Sequence, residues 1–322
     1  MPLSRRSLLC SLVSLPAALG LPGRGAQAAT PDWPRRIEHH LGTLALAAPP
    51  GRVVSTSPSL TGTLLAIGAP LAASAATTVG PLTDGAGFFA QWAAIAHERG
   101  VETLYPDRDF DIEALILAAP DLVIGSAGGA DSILPYAAEI EAQGLPLMVL
   151  DYSATDWRGL ARALGRATGC DAGAEAAIAD YEAHAAAAAA RLDLRGRPVT
   201  IVGYDIAGTY SIGRATSPQA EVLAALGFSV VPLPEALRSA VTRVSNTEFV
   251  AREMLAPAIG ADTVILLSAD AAGVAAFMGD PLLANLPAVQ RGQVYPMGLS
   301  SFRIDYYSAL EMIATVEAAI GG

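Results

Sequence analysis

The chain contains no lysine, so all 20 of its Lys+Arg positions are arginine. That absence excludes a phosphate-binding loop built on Gly-Lys-Ser/Thr and any Schiff-base chemistry on a lysine amine. Cysteine is nearly absent, at 2 of 322 residues. Cys10 lies in the N-terminal segment, which leaves Cys170 alone in the body of the chain, so no intramolecular disulfide can form there and stability must come from packing. The four histidines, His39, His40, His97 and His184, are scattered without carboxylates at ligand spacing, which excludes a zinc site read from sequence. Gly125-Ser-Ala-Gly-Gly is not the Gly-x-Ser-x-Gly elbow of a hydrolase and reads as a strand-to-helix loop with a ligand-facing role. No Gly-x-Gly-x-x-Gly follows a strand. Positive charge is also scarce. The formal net charge is -11, so a partner recognised through phosphates, and nucleic acid in particular, is excluded.

What is present begins with an export signal. Ser4-Arg5-Arg6-Ser7-Leu8-Leu9 opens an apolar stretch that reaches the small-x-small pattern Ala26-Gln27-Ala28, and cleavage is expected after Ala28. Ser11, Ser14, Pro16 and Gly20 interrupt this stretch, so it is too broken for a membrane-spanning helix. The arginine pair fits both a twin-arginine address and an ordinary basic leader. Removing Arg5, Arg6 and Arg24 makes the remaining chain three units more negative. With 52% hydrophobic and 16% charged residues, that chain reads as a compact globular protein whose length suits two lobes.

Apolar strands alternate with helices on both sides of a helical middle. Arg52 to Thr56 reads as a buried strand, followed by Ser57 as N-cap, Pro58 at the first helical position and a stop at Gly68. Further units are a helix from Asp111 to Pro120 with the strand Leu122 to Ile124, and a helix from Asp131 to Gly144 with the strand Leu147 to Leu150. Such alternation predicts a parallel sheet covered on both faces. Thr155 to Arg195 has only helix-forming character, including the alanine run Ala185 to Ala190, and predicts a rigid strut of one long helix or two in tandem. Beyond it come the strand Val199 to Tyr204, a helix ending at Gly227, the strand Phe228 to Val231, a helix near Thr247 to Ala256, the strand Thr263 to Leu267 and a helix from Tyr306 to Ile320. The expected divisions are a signal at 1–28, an α/β lobe at 29–153, a linking helix at 154–195 and a second α/β lobe at 196–322.

The segments Arg52-Val-Val-Ser-Thr-Ser-Pro-Ser-Leu-Thr-Gly-Thr-Leu-Leu-Ala-Ile-Gly, Ala76-Thr-Thr, Gly87-Phe88 with Gln91-Trp92, Leu282-Leu-Ala-Asn-Leu-Pro-Ala-Val-Gln, and Ser301-Phe-Arg-Ile-Asp-Tyr-Tyr-Ser-Ala carry a resemblance over nearly the whole chain. In these the chain resembles the periplasmic iron-siderophore-binding proteins of ABC importers, of the ferric-enterobactin type. The resemblance implies two Rossmann-like α/β lobes joined by a single long helix, the class III arrangement of periplasmic binding proteins, with the ligand held between the lobes. It implies a monomer, peripheral to the membrane, with no cofactor and no catalytic residues. Its ligand would be an iron(III)-siderophore complex and its partners the permease and ATPase of an ABC importer. Haem, a corrinoid or a non-catecholate siderophore is the alternative cargo, and an exported siderophore esterase the alternative activity.

A ferric tris-catecholate is trianionic and aromatic, so guanidinium groups and ring faces should line its site, while the iron, wrapped by the siderophore, needs no protein ligand. The candidates are Arg303, Phe302 and Tyr306 before and at the start of the last helix, Trp92 in the first lobe, Tyr210, Arg243 and Arg238 in the second, and Arg108. A surface ion pair with Asp305 is the competing role for Arg303. The resemblance also implies one docking glutamate per lobe, Glu113 and Glu253, with Glu248 as an alternative to the latter. The chain departs from the family between Thr78 and Trp92, which holds no arginine and so offers a less charged first-lobe wall.

Overall fold

The computed structural model describes residues 33–244 and 246–321. The expected export signal lies outside the described residues.

A hairpin of β1 (Arg35–His39) and β2 (Gly42–Leu46) leads into the first lobe and lies against the edge of its sheet, where the His40 amide donates to the Val149 carbonyl. That sheet holds β3 (Val53–Ser55), β4 (Leu71–Ser74), β5 (Glu102–Thr103), β6 (Leu122–Ser126) and β7 (Leu147–Leu150), all parallel, in the order β5-β4-β3-β6-β7. Helices α1 (Pro58–Ala66), α2 (Ala90–Glu98), α3 (Ile112–Leu117) and α4 (Ala137–Ala142) form the crossovers. β3 and β6 are buried along their whole lengths, as the near-continuous apolar runs of a two-sided parallel sheet require. Asp111 caps α3 by accepting from the Glu113 and Ala114 amides. The start of α1 is capped differently from the expected Ser57 side-chain cap. Ser57 Oγ donates to Asp131 Oδ2 at 2.5 Å, and the same oxygen accepts from the Ser59 amide at 3.2 Å. Asp131 therefore fastens the loop after β6 to the first turn of α1 instead of starting its own helix.

The strut is two helices in tandem, one of the two arrangements that its helix-forming composition allows. α5 (Trp157–Thr168) stops at Gly169, whose φ of +79° is the left-handed C-cap that glycine adopts at no steric cost, and α6 (Asp171–Leu192) restarts behind it. At 22 residues, α6 spans roughly 33 Å.

The second lobe contains β8 (Arg197–Ile206), β9 (Thr209–Gly213), β10 (Phe228–Val230), β11 (Thr242–Val244), β12 (Thr247–Val250), β13 (Val264–Leu267) and β14 (Val294–Pro296). Its sheet runs β11-β12-β9-β8-β13-β14, with β10 paired to the beginning of β8. β8, β10, β13 and β14 are parallel, whereas β9, β12 and β11 are antiparallel, so the lobe departs from the all-parallel expectation. The helix expected near Thr247 to Ala256 is in fact β12 followed by the short helix α8 (Leu255–Ala258). Thr247, Phe249 and Val250 fit a pleated surface better than a helix. Helices α7 (Pro218–Ala225), α9 (Ala271–Met278) and α10 (Pro287–Gln290) complete the lobe, and α11 (Tyr306–Gly321) turns back onto the strut.

One apolar core runs from α1 and α2 through α5 and α6 to α11, drawing together Leu64, Trp92, Leu164, Ile178, Met312 and Val316. At the start of α11, Asp305 approaches α1 so closely that a Cβ on Gly62 would meet its carboxylate oxygen. The remaining cores sit on the outer faces of the two sheets, around Val123, Leu147 and Ile140 in one lobe and Val264, Leu266 and Phe277 in the other.

Candidate functional site

Loops at the carboxyl ends of the first-lobe strands face the second lobe across a cleft, the usual place for a ligand on an open α/β sheet. The cleft encloses 410 Å³. Ser59 after β3, Gly128 and Gly129 after β6, and Tyr152 after β7 supply one wall. Gly213, Gln219, Thr247 and Phe249 supply the other, and Phe302, Arg303 and Ile304 close the floor. Trp157, at the start of α5, lines the cleft and is otherwise buried.

Arg303 is the centre of this arrangement. Its guanidinium carbon lies 4.2 Å from the centroid of the Tyr152 ring, a cation–π contact that crosses the cleft. Nε and Nη1 are buried and have no hydrogen-bond partner among the described residues. Buried donors are almost always paired, so two on one side chain at a cleft mark a place built for an acceptor. The loop carrying Arg303 is held firmly. Ser308 Oγ donates to the Arg303 carbonyl at 2.8 Å, Gln219 Nε2 to the Ser301 carbonyl at 2.8 Å, and the Ser268 amide to Ser301 Oγ at 2.9 Å.

Tyr152 is fixed in turn. Its hydroxyl donates to Asp131 Oδ1 at 3.0 Å, and burial raises the phenol's pKa against the opposing pull of Arg303, so it stays a donor. The competing ion pair between Arg303 and Asp305 does not form. Asp305 is buried, with Oδ2 turned toward Gly62 on α1 and Oδ1 accepting from the Ser308 amide of α11 at 2.8 Å, and burial pushes its carboxyl up.

Three of the eight sequence candidates meet here. Arg303 and Phe302 line the main cavity, with Phe302 edge-on to Phe89 at 5.3 Å. Arg108 lines a continuation of the cleft that also touches Thr77, Leu82, Phe89 and Arg303. The other five are placed elsewhere. Trp92 is completely buried on α2 and packs on Phe88, which precedes the helix, at 5.3 Å, so the two share the core and not a helix face. The Tyr306 hydroxyl donates to Asp180 Oδ2 on α6 at 2.6 Å. Tyr210 stands edge-on to Tyr204 at 5.5 Å in the second-lobe core. Arg243 reaches across from β11 to Glu248 Oε1 with Nη2 at 2.6 Å and Nε at 3.0 Å. Side chains alternate along a strand, so with Thr247 and Phe249 lining the cleft, Glu248 and its partner face away from it. Arg238 is exposed in the turn Glu235–Ala240 and is not among the residues lining the cleft.

Glu113 and Glu253 are exposed, each in the first turn of a short helical segment on its own lobe. Glu248 is buried and ion-paired. Among the described residues, no helix is long and apolar enough to cross a membrane and no cluster of three or more His, Cys, Asp or Glu could hold a metal ion.

Sequence reasoning missed Tyr152, Asp131, Gln219 and Phe249. Position alone could have found Tyr152 and Asp131, since both follow strands whose carboxyl ends open on the cleft. The loop Gly125–Gly129 was anticipated as ligand-facing, and Gly128 and Gly129 do line the cavity.

The chain is similar to known proteins in sequence and fold. Residues 53–298 match the family model for the periplasmic binding protein. The chain is 36% identical over 321 residues to the ferric enterobactin-binding periplasmic protein FepB of Escherichia coli O6:H1, covering 98% of both chains. The crystal structure of holo-ViuP superposes with a TM-score of 0.78 at 35% identity, over 88% of this chain and 94% of that one. Streptococcus pneumoniae TIGR4 PiaA, in complex with ferrichrome, shares the fold with a TM-score of 0.68 at 18% identity, over 89% of this chain and 97% of that one. The two-lobed α/β architecture and these matches establish that the chain belongs to the periplasmic binding protein family.

Proposed function

We propose that this protein captures a ferric siderophore, a catecholate by preference, in the cleft between its lobes and delivers it to the permease and ATPase of an ABC importer. The observation that carries the reading is Arg303. A guanidinium stacked on Tyr152, with two buried N–H donors unpaired and Phe302 beside it, offers a trianionic, ring-bearing complex both charge and aromatic surface. The relative FepB, named for ferric enterobactin, supports the choice of catecholate. In this reading the protein acts as a monomer in the periplasm after cleavage behind Ala28, with residues 29–153 and 196–322 as the two jaws and 154–195 as the strut. Glu113 and Glu253, exposed on separate lobes, meet the permease, and Glu248, engaged with Arg243, does not.

The test is a titration of the purified protein with ferric enterobactin, followed by quenching of Trp157, which lines the cavity. Ferrichrome, haem and a corrinoid are run alongside. Saturable quenching is expected, tightest for the catecholate. The absence of saturable binding across all siderophore classes would sink the reading, and intact enterobactin recovered from the mixture excludes the esterase.

A further inference from the structure

The cleft does not stop at Arg303. Past Arg108, Ala130 and Asp131, which line its continuation, it opens into a side compartment of 280 Å³ within the first lobe. Three aromatic side chains form one side of the compartment. Phe110 and Tyr136 are stacked, 4.2 Å between centroids and 16° from parallel, and Tyr105 stands edge-on to Phe110 at 5.9 Å. Thr56 and Ser132 add hydroxyls at the wall. Gly129 lines both the compartment and the main cavity, so the two spaces are adjacent. A dry cavity of about 150 Å³ is enough for a benzene ring, so a single six-membered ring with a small substituent fits the compartment.

The charges select what enters. The Asp131 carboxylate borders the passage with its oxygens already taken by Tyr152, Ser57 and the Ser59 amide. An incoming anion meets the Asp131 carboxylate and an incoming cation the Arg108 guanidinium at the exposed mouth, so either sign of charge meets its like at the passage. A neutral ring meets aromatic walls suited to stacking and edge contacts. Burial pushes the Tyr105 phenol up, which keeps that wall uncharged.

We propose that this compartment is an accessory subsite that takes an uncharged aryl arm carried by the ligand outside its iron-binding groups. The proposal rests on reading the main cleft as a ferric-chelate site. It adds a determinant that separates siderophores by what they bear beyond the metal-binding set.

The experiment titrates the full chain with three ring fragments, followed by saturation-transfer NMR: salicylamide (neutral), salicylate (anionic) and benzylamine (cationic). Salicylamide is expected to saturate with a Kd on the order of 1 mM, ordinary for a fragment of that size. Tyr136→Ala and Phe110→Leu, the second retaining an apolar side chain so that the lobe stays packed, should each weaken it at least threefold. In the Tyr136-dependent part of the signal the two charged fragments should bind at least threefold more weakly, whereas salicylate held by Arg303 in the main cavity should not respond to Tyr136→Ala. Failure of salicylamide to saturate at ten times that concentration, binding by both variants equal to that of the wild type, or tighter Tyr136-dependent binding of either charged fragment overturns the proposal. The ferric-enterobactin titration is read separately. If salicylamide binds in a Tyr136-dependent way and no ferric chelate binds, the compartment stands as an aryl site and the siderophore reading fails. If the chelate binds and salicylamide does not, the reading stands and the subsite fails.

Discussion

Replacing Arg303 with alanine should separate ligand affinity from folding stability, because the side chain is arranged for a partner that the fold itself does not supply. In the protein alone, Arg303 gains a cation–π contact with Tyr152, worth about 0.5–2 kcal/mol at a partly desolvated site. Against this, Nε and Nη1 are buried without partners, and each such donor costs about 1–3 kcal/mol. The two terms nearly cancel or favour removal, so Arg303→Ala should melt at the wild-type temperature or slightly above it. Binding should respond in the opposite direction. A charge-assisted hydrogen bond from one of those donors to a ligand oxygen contributes about 1.5–3 kcal/mol, so the loss of even one should lower affinity by about 10- to 150-fold. Arg303→Lys restores the charge without the planar fork or the stacking face and should recover only part of the loss. Trp157 quenching and isothermal calorimetry measure the affinity, and thermal denaturation without ligand measures the stability. A dissociation constant within twofold of wild type refutes the reasoning, as does a loss of stability as large as the loss of affinity.

Three further outcomes test how the fold supports the cleft. Gly62→Ala places a Cβ against the Asp305 carboxylate and the Trp92 ring, and overpacking of this kind should cost about 1–3 kcal/mol in a denaturant melt. Arg243→Ala leaves the buried Glu248 carboxylate unpaired. Because Arg243 itself is half exposed, the expected loss is about 1–2 kcal/mol, below the range for a fully buried pair, and a chelate Kd unchanged within twofold would confirm that Arg243 faces away from the cleft. Burial holds the Asp305 carboxyl above its ordinary value, so the folded protein binds its proton more tightly than the unfolded chain does. That contribution therefore favours the folded state at low pH and is lost as pH rises from about 4 through the raised value. Asp305→Asn should flatten this part of the stability–pH profile, and an unchanged slope would rule Asp305 out as its source.

The first lobe was largely legible because each of its signals is local. Val53 to Ser55, Leu122 to Ser126 and Leu147 to Leu150 are apolar runs bounded by turn residues, and Pro58, Asp111 and Gly68 punctuate the helices between them. The second lobe misled where strand direction depends on pairing. Nothing within Thr247 to Val250 says that it lies antiparallel to β9, and the acidic and apolar residues that follow read equally well as a helix start. In the strut, the helix-forming composition leaves one long helix and two in tandem equally open, and Gly169 decides between them by ending α5.

The site was half legible for a related reason. Residue type can say that a guanidinium and an aromatic ring suit a catecholate, but only register and backbone direction decide which of them face the cleft. Arg303 and Phe302 sit in a loop after β14, where position and chemistry agree. Arg243 and Tyr210 have the right chemistry but lie on the antiparallel strands, where strand pairing sends one to Glu248 and the other into the Tyr204 contact. Trp92, on the buried face of α2, packs into the core against Phe88. In the opposite direction, Asp131 carries a charge of the wrong sign for an anionic ligand, and so no chemical argument selected it. Its work is indirect. By binding the start of α1 and the Tyr152 hydroxyl with one carboxylate, it holds the ring on which Arg303 rests. A cleft for an anion can therefore depend on an acid, provided that acid's oxygens are occupied before the ligand arrives.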